Sequence, residues 1–156
     1  TMVTGPLYQK VPSGQKFIDK LINCIIHHAY KNKGHYYILS IGEQPFEKLK
    51  KENLPSNVSL HKNVDQLMVL KHADLFITHG GSNSVHEAIV EKVPMIVIPF
   101  FDDQNFLAYA VEKKGYGKAF LHEKESLPKV MALLSGLYER KSLNELSLLE
   151  EAIESF

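Results

Sequence analysis

Residues Ala73 to Asn105 read ADLFITHGGSNSVHEAIVEKVPMIVIPFFDDQN. The apolar run Leu75 to Thr78 is too short for a lone helix and rich in β-formers, so it reads as a buried strand. His79-Gly80-Gly81 interrupts it, and Ser82-Asn83-Ser84 opens a helix predicted to run to about Glu91. A second apolar run, Met95 to Ile98, stops at Pro99 and leads into a polar loop, Asp102-Asp103-Gln104. Strand, glycine turn, helix and strand make one βαβ unit, and parallel crossovers place their loops at the carboxyl edge of the sheet. The polar residues of the stretch gather on that edge.

The turn from His79 to Ser84 has the chemistry of an anion seat. The first N–H groups of a helix lack intrahelical partners and carry partial positive charge. Paired glycines let a ligand approach the backbone with no Cβ in the way, and the combination suits a phosphate. His79 adds an imidazole donor, and Ser82, Asn83 and Ser84 add short polar side chains. The one arginine, Arg140, is far away in sequence, so a diphosphate here would rest on amides, His79 and hydroxyls. Ser84-x-x-Glu87 also fits a capping box, in which the two residues satisfy each other's backbone N–H. On spacing alone both readings stand. The glycine spacing is neither G-x-G-x-x-G nor a Walker loop. Glu87, one turn into the helix on the side of Asn83 and Ser84, is placed to accept from ribose hydroxyls beside a bound diphosphate.

THGGSNSVHEAIVEKVPMIVIPFFDDQ resembles the donor-binding signature of the UDP-dependent glycosyltransferases. This GT-B family includes macrolide and flavonoid transferases, plant secondary-metabolite transferases and glucuronosyltransferases. The similarity extends upstream through Asn63-Val64-Asp65-Gln66-Leu67 and Leu70-Lys71-His72-Ala73-Asp74, and covers about Asn57 to Phe120. The resemblance implies that His79, Asn83 and Ser84, on the Gly80-Gly81-Ser82 turn, contact a diphosphate. It implies that Glu87 binds ribose, that Asp103 and Gln104 bind sugar hydroxyls, and that Gln66 lies by the uridine. The sequence departs from the family at Asn63, where most members carry an aromatic that stacks on uracil, and at Asp65, where proline is usual. His61, two residues from Asn63, offers a substitute ring. The reaction implied is inverting, metal-independent transfer from a UDP-sugar to an acceptor hydroxyl. The acceptor base, usually a histidine, is expected in an N-terminal domain absent from this chain, so no catalytic residue is assigned here.

A chain of 156 residues is long enough for one domain with its own core. Lys+Arg and Asp+Glu balance at 18 each, which gives no basis for steering nucleic acid or an anionic membrane. The lysines around Lys48 to Lys51 have acids on either side and read as a solvated helix face. Cys24 is alone, so no internal disulfide forms and a cytoplasmic, reducing setting is expected. No apolar run reaches membrane-spanning length and no signal peptide is visible. Thr1 already lies inside what reads as a first strand, from which an upstream segment is expected.

Taken in order, Thr1 to Thr4 reads as a strand ended by Gly5-Pro6. Its loop makes Thr4 and Gly5 secondary phosphate candidates, or an ordinary turn. A helix capped by Ser13 carries Phe17, Ile18, Leu21, Ile22, Ile25 and Ile26 at helical spacing and stops near Asn32-Lys33-Gly34. His35 to Ile41 is a strand ended by Gly42. A short charged helix begins at Pro45, Val58 to His61 is a strand, and Asp65 caps a helix to His72. After the central unit, Phe106 to Lys114 is helical and Tyr116 to Leu121 is a last strand. Ser126 opens a helix broken at Gly136, and Ser142 a final amphipathic helix. Strands alternating with helices predict an α/β fold with a doubly wound, Rossmann-like parallel sheet. Residues 1–156 would form one nucleotide-sugar (donor) binding domain, the single C-terminal half of a GT-B enzyme.

Other chemistries fit less well. His72, His79 and His86 are evenly spaced but fall on a helix end, a strand tip and a later helix, so no metal site is expected. No G-x-S-x-G elbow exists for a hydrolase. Of the Asp102-Asp103 pair, the first reads as solvated and the second as ligand-facing. The alternative to half of a transferase is a non-catalytic nucleotide-sugar-binding subunit serving a separate catalytic chain.

Overall fold

Six parallel strands lie side by side in a computed structural model that describes residues 2–3, 12–122 and 126–139. They are β1 (Met2–Val3), β2 (Tyr37–Ser40), β3 (Val58–His61), β4 (Phe76–Thr78), β5 (Met95–Val97) and β6 (Gly117–Ala119). The intervening helices are α1 (Pro12–Lys31), α2 (Glu43–Leu49), α3 (Gln66–Leu70), α4 (Ser82–Val90), α5 (Asp102–Lys113) and α6 (Ser126–Glu139). The strand order is β3-β2-β1-β4-β5-β6, and the doubly wound α/β fold predicted from the alternation is the one found. Thr4, Gly5 and the helix predicted from Ser142 lie outside the described residues.

The strands read as unbroken apolar runs because helices cover both faces of the sheet. Alternation along each strand then sorts the side chains into two cores. Ile77 and Ile96 point to one face, where they meet Phe17, Leu21 and Ile25 of α1 and Val130 and Leu134 of α6. Phe76, Met95 and Val97 point to the other, against Leu70 of α3, Val85 and Ala88 of α4, and Ala108 and Val111 of α5. The register aligns His61, Ser40, Val3, Thr78, Val97 and Ala119 in one row near the carboxyl edge.

This order fixes where a site can open. From β1 the chain winds outward to β2 and β3, then returns past both to β4 on the far side of β1. The helices that follow β1 and β4 cover opposite faces, so their leading loops diverge and leave a crevice at the carboxyl ends.

Several boundaries differ from expectation. α1 begins at Pro12, so Ser13 lies inside the helix and not at its cap. Asp102-Asp103-Gln104 is the first turn of α5 and not a loop, with Phe101 as its N-cap. Two aspartates suit that turn because the helix N-terminus attracts negative charge. The short charged helix begins at Glu43, with Gly42 as N-cap and Pro45 already buried inside it. Gly136 does not break α6, which runs on to Glu139; Val130 and Leu134 in the core offset the helix cost of one glycine, about 1 kcal/mol.

Candidate functional site

The β4–α4 turn sits beside the crevice. Thr78 ends the strand buried, and its Oγ1 accepts from the Gly80 N–H at 3.2 Å. Gly80 has φ +87°, and a Cβ there would lie 2.8 Å from Val97 Cγ1, so the turn presses against β5. Gly81 is the N-cap of α4 and makes no side-chain cap bond. The Val85 N–H is the first to reach back into the helix, to the Gly81 carbonyl at 3.0 Å. The N–H groups of Ser82, Asn83 and Ser84 are therefore left at the helix mouth. His79 lies against the start of this helix: a Cβ on Gly81 would sit 2.9 Å from His79 Nε2. Backbone donors and an imidazole thus share one small surface, with exposed Ser82 and Asn83 at its rim.

A second tier comes from α3. Asp65 caps that helix as expected, its Oδ1 accepting from the Met68 N–H at 3.2 Å. The first helical residue, Gln66, turns its amide toward α4. Its Nε2 donates to Glu87 Oε2 at 2.5 Å and to Ser84 Oγ at 3.2 Å. This arrangement sets aside the capping box, because the N-cap is Gly81 and Ser84 already lies inside the helix. Gln66, Ser84 and Glu87 instead form one hydrogen-bonded group, all half-buried at the carboxyl edge.

The third part is the start of α5. Asp103 is exposed, whereas Gln104 is only 4% exposed and its Oε1 accepts from the Phe100 N–H at 2.9 Å. That carbonyl oxygen is occupied within the chain, which leaves the amide nitrogen for any ligand.

His61 and Asn63 lie on the β3 side of the sheet. His61 ends the outer strand β3, with Ser59 Oγ on its Nε2, and β2 and β1 separate it from β4. Three strand spacings are roughly 14 Å. Asn63 is exposed on the loop between β3 and α3. Lys62, beside them, is tied to Glu43 at 2.6 Å and Glu47 at 3.1 Å, and these hydrogen bonds raise its pKa. Among the described residues no three His, Cys, Asp or Glu side chains gather as a metal-binding group. Two edge residues were given no part in the donor site from sequence. Thr78 holds the glycine turn, and His122 reaches the loop after β5, its Nδ1 lying 2.9 Å from the Pro99 carbonyl. The signal for His122 was its place just past the end of the last predicted strand.

Residues 41–145 match the sequence model of the family described as "UDP-glucoronosyl and UDP-glucosyl transferase". The chain belongs to this family. Among curated relatives, "NDP-glycosyltransferase YjiC" of Bacillus subtilis (strain 168) is 36% identical over 111 residues, covering 71% of this chain and 26% of the relative. The protein of the same name from Bacillus licheniformis is 45% identical over 67 residues, 43% of this chain and 17% of that one. "Putative UDP-glucuronosyltransferase ugt-46" of Caenorhabditis elegans is 32% identical over 124 residues, 75% of this chain and 23% of its own length. The chain spans about a quarter or less of the length of these family members. Solved structures agree on the fold. The glycotransferase of kitacinnamycin superposes with a TM-score of 0.76 at 24% identity, over 99% of this chain and 38% of that one. Spinosyn rhamnosyltransferase SpnG complexed with thymidine diphosphate gives 0.73 at 16% identity, over 98% and 40%. The fold is thus one Rossmann-like half of a GT-B glycosyltransferase. The family match spans α2 through α6 and so contains Gln66, His79 to Glu87, Asp103 and Gln104.

Proposed function

We propose that the chain binds the UDP-sugar donor of a glycosyltransferase, with the diphosphate on the His79–Ser84 turn and the ribose against Glu87. The observation that carries this reading is the convergence, beside the crevice where the strand order reverses, of the uncapped α4 amides, the His79 imidazole and the Glu87 carboxylate. Asp103, with the amide nitrogen of Gln104, would meet sugar hydroxyls. Gln66 borders the nucleoside end.

The chemistry is an inverting displacement without a metal. A base removes the proton of an acceptor hydroxyl, whose oxygen forms the new bond to the anomeric carbon. The bond from that carbon to the diphosphate oxygen breaks, and UDP leaves with the electron pair. The share of this chain is to bind the donor and stabilise the negative charge that grows on the leaving diphosphate. Preorganised amides and an imidazole do this without reorganising at the moment of reaction. The acceptor and its base would come from a further domain or a partner chain.

Calorimetric titration with UDP tests the site. Hydrogen bonds to charged groups contribute about 1.5–3 kcal/mol each, so His79→Ala and Glu87→Ala should each weaken UDP by about tenfold or more. Unchanged affinity in both variants would remove the assignment.

A further inference from the structure

The Pro99 carbonyl and the Phe100 N–H belong to one peptide unit, and in a trans peptide they point in opposite directions across its plane. Both are held by side chains. His122 Nδ1 lies 2.9 Å from the Pro99 carbonyl oxygen, and a carbonyl can only accept, so Nδ1 carries the proton. Gln104 Oε1 accepts from the Phe100 N–H at 2.9 Å. The His122 ring also stacks on Phe100, with centroids 4.8 Å apart and planes at 34°. One peptide is thus gripped from the end of β6 on one side and from the first turn of α5 on the other.

The grip reaches the proposed donor site in two ways. Gln104 follows Asp103 directly, and its own N–H bonds the Phe101 carbonyl at 3.0 Å, so the clamped peptide and the start of α5 form one unit. Gln104 also backs the glycine turn, since a Cβ on Gly80 would stand 3.7 Å from its carbonyl oxygen. Exposed Asp103 is therefore carried by a turn fixed at both ends.

We propose that His122 is a positioning residue for the donor sugar, acting through the Pro99–Phe100 peptide and the first turn of α5 to hold Asp103 in place. The proposal rests on the sugar reading of Asp103 given above. Without the His122 donor the peptide loses one of its two side-chain hydrogen bonds, and the first turn of α5 that carries Asp103 is held less firmly. The diphosphate turn has supports of its own besides Gln104, in the Thr78 hydroxyl and the Val97 side chain, so it depends less on this grip than the start of α5 does.

The experiment compares UDP with UDP-glucose by calorimetry in the wild-type chain and in His122→Phe, His122→Asn, Asp103→Ala and the double variant His122→Phe/Asp103→Ala. His122→Phe keeps a ring against Phe100 but has no donor, whereas the Asn side-chain amide offers a donor near the position of Nδ1. The ratio of UDP-glucose to UDP affinity should fall by about threefold to tenfold in His122→Phe, the worth of one hydrogen bond. It should be restored in His122→Asn, and UDP affinity alone should stay within about twofold in both. The double variant should lose no more of the ratio than Asp103→Ala does. A purely structural histidine would weaken both ligands together or lower only the unfolding temperature, and either result would overturn the proposal. So would a His122→Asn variant that behaves like His122→Phe. If Asp103→Ala leaves the ratio unmoved, the sugar reading of the turn fails and takes this proposal with it. A wild-type chain that holds neither ligand removes the proposed function itself.

Discussion

A methyl group added at Gly80 would meet Val97 Cγ1 at 2.8 Å, on a backbone whose φ of +87° already disfavours any side chain. The neighbouring glycine differs. Gly81 has φ −61° and ψ 139°, which any residue adopts, and its added methyl would meet only the tip of the His79 ring. The two positions therefore separate stability from binding. Gly80→Ala should destabilise the fold by about 1–2 kcal/mol for the left-handed backbone alone. Gly81→Ala should cost less, about 0.5–1 kcal/mol, because alanine is a poorer N-cap than glycine. It should still displace the imidazole and weaken UDP by about tenfold, as removal of one charge-assisted donor would. Urea unfolding and calorimetry on both variants check the pair; equal stability losses would mean that the turn is packing alone. The glycine turn was legible in the sequence, because paired glycines between an apolar strand and a polar helix start mark a tight strand-to-helix turn. The hydrogen bond between Gln66 and Glu87 was not legible. It joins residues on two helices whose relative placement depends on how α3 and α4 pack, and no local spacing encodes that.

At the scale of elements, the other end of the sheet holds a polar knot. His28, near the end of α1, is buried, and its Nδ1 lies 2.8 Å from the Tyr37 hydroxyl on β2. Asn57, also buried, donates to the carbonyls of Ala29, Asn32 and His35 and so ties α1 to the entrances of β2 and β3. Burial first, and the nearby His35 second, lower the pKa of His28. The folded chain thus holds this ring neutral where the unfolded chain, with an ordinary value of about 6.5, begins to bind a proton. The stability contribution is complete above that value and is lost as the pH falls from it toward the lowered folded pKa. The urea midpoint should drop between about pH 7.5 and about pH 5.5, and His28→Gln should narrow the difference. An identical pH dependence in the variant would assign the acid sensitivity to other groups. Elements were read well where apolar spacing set them, as in α1 and β3. They were misread where polar residues begin a helix. Asp102-Asp103-Gln104 has the composition of a loop, yet the charges favour a helix start and Gln104 turns inward to meet Phe100.

Over the whole molecule, the doubly wound class followed from strands alternating with helices. The order β3-β2-β1-β4-β5-β6 did not, because apolar runs buried on both faces do not say which strand lies beside which. That order matters to function, since it puts the β4–α4 turn beside the crevice. It also bears on activity. Transfer needs a base within hydrogen-bond reach of the acceptor hydroxyl, and the His79 ring lies against Gly81 at the start of α4, where the diphosphate is proposed to sit. This chain alone should therefore show no sugar transfer to a panel of phenolic and alcohol acceptors, and addition of an acceptor-binding half should restore it. Product formed at comparable rates by the chain alone would require a base among His35, His61 and His122. The claim beneath all of this is that a nucleoside diphosphate binds at the mouth of α4. It is tested most directly by titrating UDP into the isotopically labelled chain and following each backbone amide by NMR. The account predicts that the largest shifts fall on Gly81, Ser82, Asn83 and Ser84, with smaller ones at Gln66 and Glu87. Binding that leaves those four amides unmoved, or no binding at all, would contradict it.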